Sequence, residues 1–161
     1  MKKIINVLGL TISAICVAGC STMTEVRLYN GPAQNESQIA GLYLDPHVMV
    51  TDVDNIHSHP TDKSRVLAHS AGKRREYISL APGPHKLNAG FFVLCLQTEK
   101  AYPLEFNAEA GKKYRLKPNV DSTLKKWQPE IVEFDGAEVE NDFPWFKAMC
   151  PPNVTVVRLG R

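Results

Sequence analysis

The chain has 161 residues, 43% of them hydrophobic and 22% charged, with a formal charge of +2. This length suits one domain with a real core, and the near-neutral balance excludes a general attraction to nucleic acid. The apolar run from Ile4 to Val17 is too short for a membrane-spanning helix.

Lys2 and Lys3 followed by that run have the positive start and short apolar middle of a secretory signal peptide. Val17-Ala18-Gly19-Cys20 closes it. These four residues resemble the lipobox of bacterial lipoproteins, in which a cysteine behind small residues is acylated on sulfur and becomes the new N-terminus after cleavage. The resemblance implies a signal peptide over 1–19, a lipid on Cys20 and a short tether over 20–24. Each buried acyl methylene adds about 0.8 kcal/mol, so a multiply acylated cysteine stays on the membrane. Ser21, where an aspartate commonly retains such proteins at the inner membrane, favours the outer membrane in a host that has one; a palmitate-bearing anchor and a periplasm-facing domain are expected with it. Removal of 1–19 leaves 142 residues and takes Lys2 and Lys3 away, so 17 basic residues balance 17 acidic ones. Cys16 leaves with the signal and Cys20 carries lipid. Cys95 and Cys150 then remain in an oxidising compartment and are expected to form a disulfide, two buried free thiols being the alternative.

Glu25 to Tyr29 alternates polar and apolar before the turn residues Asn30-Gly31-Pro32, which predicts a half-buried first strand. Ser37 to Leu44 and Val48 to Val53 are further strands, split by Asp45-Pro46. Asn55 to Lys63 is a polar loop, and Val66-Leu67-Ala68 a short strand. Tyr77 to Leu80 leads into Pro82-Gly83, residues suited to the centre of a type II turn, so the strands on either side are expected to pair. The run from His85 to Gln97 reads as a central strand covered on both faces, with Phe91, Phe92 and Leu94 in the core. Leu104 to Ala108 and Tyr114 to Lys117 repeat that arrangement around Ala110-Gly111, with Leu104, Phe106, Tyr114 and Leu116 facing one core. Trp127 to Phe134 supplies another strand. Asn141-Asp142 caps a short helix through Trp145 and Met149, Pro151-Pro152 ends it, and Val154 to Leu159 is the last strand. No long helical period, repeat or low-complexity tract is present. Residues 25–161 are therefore expected to form one all-β domain, an antiparallel β-sandwich with a short helix near the C-terminus.

Three stretches carry a resemblance: Val26-Arg27-Leu28-Tyr29 with Gly31-Pro32, Leu80 to Leu87, and Phe106 to Leu116. They are similar to a group of small bacterial envelope lipoproteins, and the middle stretch resembles the Pro-Gly hairpins of PEGA-like and transthyretin-like modules. The resemblance covers about residues 25 to 134. It implies an immunoglobulin-like or transthyretin-like sandwich and brings no catalytic residue with it.

Few residues suggest chemistry. His57-Ser58-His59, if extended, puts two imidazoles on one face, and His47, His69 or Asp54 would complete a metal shell. A lone H-x-H among Asp52, Asp54, Asn55, Pro60 and Asp62 lacks the spacing of a metal motif, however, and reads better as solvated loop histidines. No metal or other cofactor is expected. Ser58, His57 and Asp62 form a nucleophile set only on paper, without a G-x-S-x-G elbow or a Gly-rich phosphate loop. Lys73-Arg74-Arg75, with Arg65, reads as a solvated turn, contact with anionic headgroups or acidic cell-wall material being the alternative. His85 reads as a hydrogen-bonding residue at a strand start, and Trp127 and Trp145 as plugs at the ends of the sandwich. The function expected is a non-enzymatic, lipid-anchored module that binds or scaffolds another envelope component. A metal or small-ligand carrier using His57 and His59, or a hydrolase with an unrecognised site, is the alternative.

Overall fold

In the computed structural model, which describes residues 23–62, 65–71, 75–93, 96–121, 126–135 and 157–159, the period-2 pattern becomes eleven strands. They are β1 (Met23–Arg27), β2 (Ala40–Leu44), β3 (Val48–Val53), β4 (Ala68–His69), β5 (Arg75–Leu80), β6 (Gly83–Val93), β7 (Leu96–Thr98), β8 (Tyr102–Ala108), β9 (Lys113–Asp121), β10 (Lys126–Glu133) and β11 (Val157–Leu159). Ala40, Leu42 and Leu44 of β2 are buried while Gly41 and Tyr43 are half-buried, and Tyr114, Leu116 and Pro118 of β9 alternate in the same way. Side chains on successive strand residues point to opposite faces, so each strand offers one face to the core.

The strands form two sheets. The first runs β1-β5-β2-β9-β10; the second runs β11-β7-β6-β3-β4, with β8 beside the first part of β6. Both are mixed: β1 with β5, β2 with β9 and β11 with β7 are parallel. This corrects the expected antiparallel arrangement. A parallel pair needs a connection that leaves the sheet and returns, and here the chain returns by way of the other sheet.

One core lies between them. The first sheet supplies Val26, Leu42, Leu44, Ile78, Leu80, Leu116 and Trp127, and the second supplies Val48, Val50, Val53, Leu87, Ala89 and Phe91. Ring contacts cross the interface, Phe91 to Trp127 at 6.2 Å and Phe106 to Tyr114 at 5.3 Å. A fully buried side chain of this size contributes about 1.5–3 kcal/mol, so this layer dominates the stability.

The Pro82-Gly83 turn does not make a hairpin. β5 already has β1 on one edge and β2 on the other, so it offers no free edge, and β6 departs into the second sheet. Gly83, at φ +135°, takes the chain across. The passage from β8 to β9 crosses between sheets in the same manner, with Gly111 at φ +77° donating its N–H to Ile39 O at 2.8 Å. Leu104, Phe106, Tyr114 and Leu116 nonetheless share one core.

True antiparallel neighbours in sequence are β3 with β4, β6 with β7 and β9 with β10. In the last of these pairs Pro118 stands opposite Pro129. Neither proline can donate, so they fit only a non-hydrogen-bonded pair. Pro118 also lies beyond Leu116, the last residue of β9 in register with β2, so no ladder bond is lost on that side.

Several boundaries differ from expectation. β1 begins at Met23, inside the expected tether, and β2 begins only at Ala40 because Glu36–Gln38 forms a 3-10 turn. Phe91 is 1% exposed but Phe92 is 50% exposed, so β6 is covered on one face and not on both. Cys20, Leu94, Cys95, Cys150, Trp145 and the helix expected near 141–149 lie outside the described residues.

Candidate functional site

Beneath β5, on the core side, sits a buried carboxylate. Glu76 is 1% exposed. Its Oε1 accepts from Arg65 Nη2 at 2.7 Å and its Oε2 from the His69 backbone N–H at 2.9 Å. The same Arg65 nitrogen lies 2.9 Å from His69 Nδ1, which must accept because a guanidinium has no lone pair to offer. The clamp ties β5 in the first sheet to β4 in the second. Burial alone would raise the Glu76 carboxyl, but the Arg65 bond and the His69 N–H outweigh it and hold it below its ordinary range.

Asp45, between β2 and β3, is buried as well and accepts from both Nε and Nη2 of Arg115. Burial pushes its carboxyl up, against the bonds and charge of Arg115 and the charges of Lys117 and Arg75. Arg65 and Arg115 are thus committed to buried carboxylates. The expected solvated basic turn is therefore corrected at two positions. Arg65 holds Glu76, and Arg75 is buried at the start of β5; Lys73 and Arg74 lie outside the described residues.

The loop histidines part company. His57 is exposed, whereas His59 is buried, its Nδ1 accepting from Thr61 N at 3.3 Å and lying 3.0 Å from Thr61 Oγ1. The reading of both as solvated fails for His59. Its Nε2 has no partner among the described residues. His47 packs edge-on to Phe91 at 6.3 Å, and burial lowers its pKa. No three His, Cys, Asp or Glu side chains among the described residues come together as metal ligands. His85 has a fastening role at the start of β6, with Nδ1 2.5 Å from Asp54 Oδ2 and Nε2 2.8 Å from Ala81 O. Both ring nitrogens face oxygen atoms, so the ring bridges the loop after β3 and the end of β5.

The outer face of the first sheet is different in kind. Its register sets two rows of side chains across four strands: Glu25, Tyr77, Tyr43 and Arg115, then Arg27, Ser79, Gly41 and Lys113. Tyr43 and Tyr77 stack with centroids 5.0 Å apart and planes 10° from parallel, and Phe134 meets Tyr43 edge-on at 5.2 Å. Gly41 makes this possible, since a Cβ there would stand 2.9 Å from the Tyr43 ring. Ser79 Oγ donates to Glu25 Oε1 at 2.6 Å, and Arg27 donates to Glu25 Oε2 at 3.4 Å while its guanidinium lies 5.4 Å from the Tyr29 ring centre. The segment after β1 folds back as an opposite wall, fixed where Gln34 N donates to the Tyr29 hydroxyl at 3.2 Å.

Between wall and rings lies a hollow of about 160 Å³ that also touches Glu36, Ile39, Lys112 and Lys113. Burial, with the charge of Glu36, raises the Tyr43 pKa; burial, then Glu25, raises that of Tyr77. Both hydroxyls stay protonated as donors at neutral pH.

Two larger hollows carry less organised chemistry. One of about 680 Å³ runs along Tyr102, Asn119, Asp121, Lys126 and Trp127. Another of about 640 Å³ lies over β3, β6 and β8. Its polar groups are mutually paired: Asn88 Nδ2 donates to both Asp52 oxygens at 2.9 and 3.1 Å, and Lys86 meets Glu105 at 2.8 Å.

The groove at Tyr43 and Tyr77 is thus the candidate site. Sequence reasoning placed Tyr77 and Phe134 in strands and missed the site, although Gly41 inside a strand of bulky residues was a usable signal. Comparison with protein-family models, with curated proteins and with solved structures finds no match for this chain.

Proposed function

We propose that the chain is a lipid-anchored, non-enzymatic envelope protein that binds another envelope component through the outer face of its first sheet. The observation that carries this reading is the block of Tyr43, Tyr77 and Phe134 on the side of the sheet away from the core. Clustered aromatics with a polar rim are the composition of a recognition surface. The address comes from Lys2 to Cys20. With a lipid on Cys20 and β1 starting at Met23, Ser21-Thr22 spans at most about 7 Å, which keeps the domain against an outer membrane on the periplasmic side. Two sheets around one core support an immunoglobulin-like or transthyretin-like sandwich, from which the parallel pairs depart. A Cys95–Cys150 bridge belongs to the same proposal and would contribute about 4 kcal/mol on the chain-entropy model.

The test is crosslinking in intact cells with a photoreactive residue at Gln34, exposed on the wall of the groove, or at Lys86, on the second sheet. Specific adducts are expected from Gln34 alone, and Cys20→Ala should both release the protein from membranes and remove them. Equal labelling from both faces, or detergent partitioning unchanged by Cys20→Ala, would contradict the reading.

A further inference from the structure

We infer that the groove at Tyr43 and Tyr77 binds a saccharide, seating one uncharged pyranose ring of an envelope glycan against the stacked tyrosines. The inference rests on the reading of this face as the binding surface and names what it takes.

The rings decide the shape of the apolar part. Tyr43 and Tyr77 are stacked on one another and braced by Phe134, so they form a single block and not a series of ridges. A polyproline peptide docks by laying successive prolines between spaced aromatics. A pyranose offers one compact C–H surface, the counterpart of one block. The hollow, about 160 Å³, is close to the roughly 150 Å³ that accommodates a benzene ring. Because the groove is open, neighbouring sugar units of a longer chain would run out of it without entering.

The rim decides the charge. Arg27 is paired with Glu25 at 3.4 Å, Lys113 with Glu36 at 3.5 Å and Lys112 with Glu133 at 3.0 Å. With cations and carboxylates balanced, the rim selects for no strongly charged ligand. Surface pairs of this kind are weak, and a ligand hydroxyl can exchange for one partner at little cost. The flat polar ends of Arg27 and Glu25 offer adjacent donors or acceptors, which suit vicinal hydroxyls. The two tyrosine hydroxyls, kept protonated by burial and neighbouring carboxylates, add donors beside the apolar surface.

Gly41 ties the site to the sequence. It lets the Tyr43 ring lie back along its own strand, and any side chain there pushes that ring out of the stack.

The experiment uses the full chain in a detergent without a sugar headgroup, titrated by calorimetry and by NMR with four probes: cellotriose, the N-acetylglucosamine trisaccharide, trigalacturonate and a proline decamer. Saturable binding of the two neutral saccharides is expected, with a dissociation constant on the order of 1 mM for one seated ring. Tyr43→Ala and Tyr77→Ala should each weaken it at least about tenfold, Tyr77→Phe only a few-fold, and Lys86→Ala not at all. Circular dichroism checks that the variants fold, and Tyr77→Phe reports on the site if an alanine variant does not. Preference for trigalacturonate or the proline decamer, no saturation by either neutral saccharide, or binding indifferent to both tyrosines would overturn the inference. If saccharides fail while Gln34 still crosslinks specifically in cells, the ligand class falls and the binding face stands; loss of both would remove the face as well.

Discussion

Glu76 and Tyr77 are neighbours on β5, yet they live in opposite environments. Below the strand, a charged residue is wholly buried and each of its oxygens is met by a donor. Above it, a large ring lies half-buried on the surface, stacked on another ring, with an open hollow beside it. The inner group is polar where apolar packing would have sufficed, and the fold surrounds it with partners because an unpaired buried charge is costly. The outer ring is apolar where a polar residue would have sufficed, and the core does not depend on it. That difference is what separates a structural cluster from a recognition surface here, and it can be tested residue by residue.

The largest effect is expected from the inner side. Glu76→Ala leaves the Arg65 guanidinium facing a vacated buried position, and should cost about 3–5 kcal/mol in urea unfolding. Tyr77→Ala, one residue on, should cost about 1 kcal/mol, the worth of one cross-strand aromatic pair. Equal costs would abolish the distinction between the two sides.

Acid should act through the same clamp. The Glu76 carboxyl is held below its ordinary value of 4.5 in the folded protein, so below that pH the unfolded chain binds the proton more readily than the folded one. The stability contributed by Glu76 is present above about pH 4.5 and is lost as pH falls through the folded value. Glu76→Gln should lower stability at neutral pH and flatten the acid limb of a stability–pH curve; an acid limb of unchanged slope would deny the clamp this role.

On the outer side, Gly41→Ala puts a methyl group against the Tyr43 ring and should cost about 1–3 kcal/mol through overpacking. Adding Tyr43→Ala removes the obstruction, so the double variant should be less destabilised than the sum of the singles. Simple additivity would mean that the ring is free to move aside. The smallest effect belongs to the exposed Lys86–Glu105 pair on the second sheet, where Glu105→Ala should leave the melting temperature unchanged.

Strand positions were largely legible because alternation and turn residues act locally: Val48–Val53 and Lys126–Glu133 lie close to where the pattern puts them. Partnership was not legible. Pro82-Gly83 reads as a hairpin turn because a turn sequence specifies that the chain changes direction, whereas the strand it meets depends on which edges remain open. The edges of β5 are taken by β1 and β2, from residues far away in sequence. The clamp was hidden for the same reason. Arg65 and Glu76 are separated by a turn whose composition reads as solvated, and only the approach of β4 to β5 buries them.

The sequence by itself determined an all-β chain and the residues that alternate toward a core. Tertiary structure alone decided the distribution of strands between two mixed sheets, the burial of Glu76 and His59, and the meeting of Tyr43 with Tyr77, 34 residues apart, across the β2–β5 register. Periodicity is a property of consecutive residues, so one strand displays it alone. A stacked ring pair or a satisfied buried charge belongs to two strands at once, and it exists only when long-range pairing has brought them to the same register.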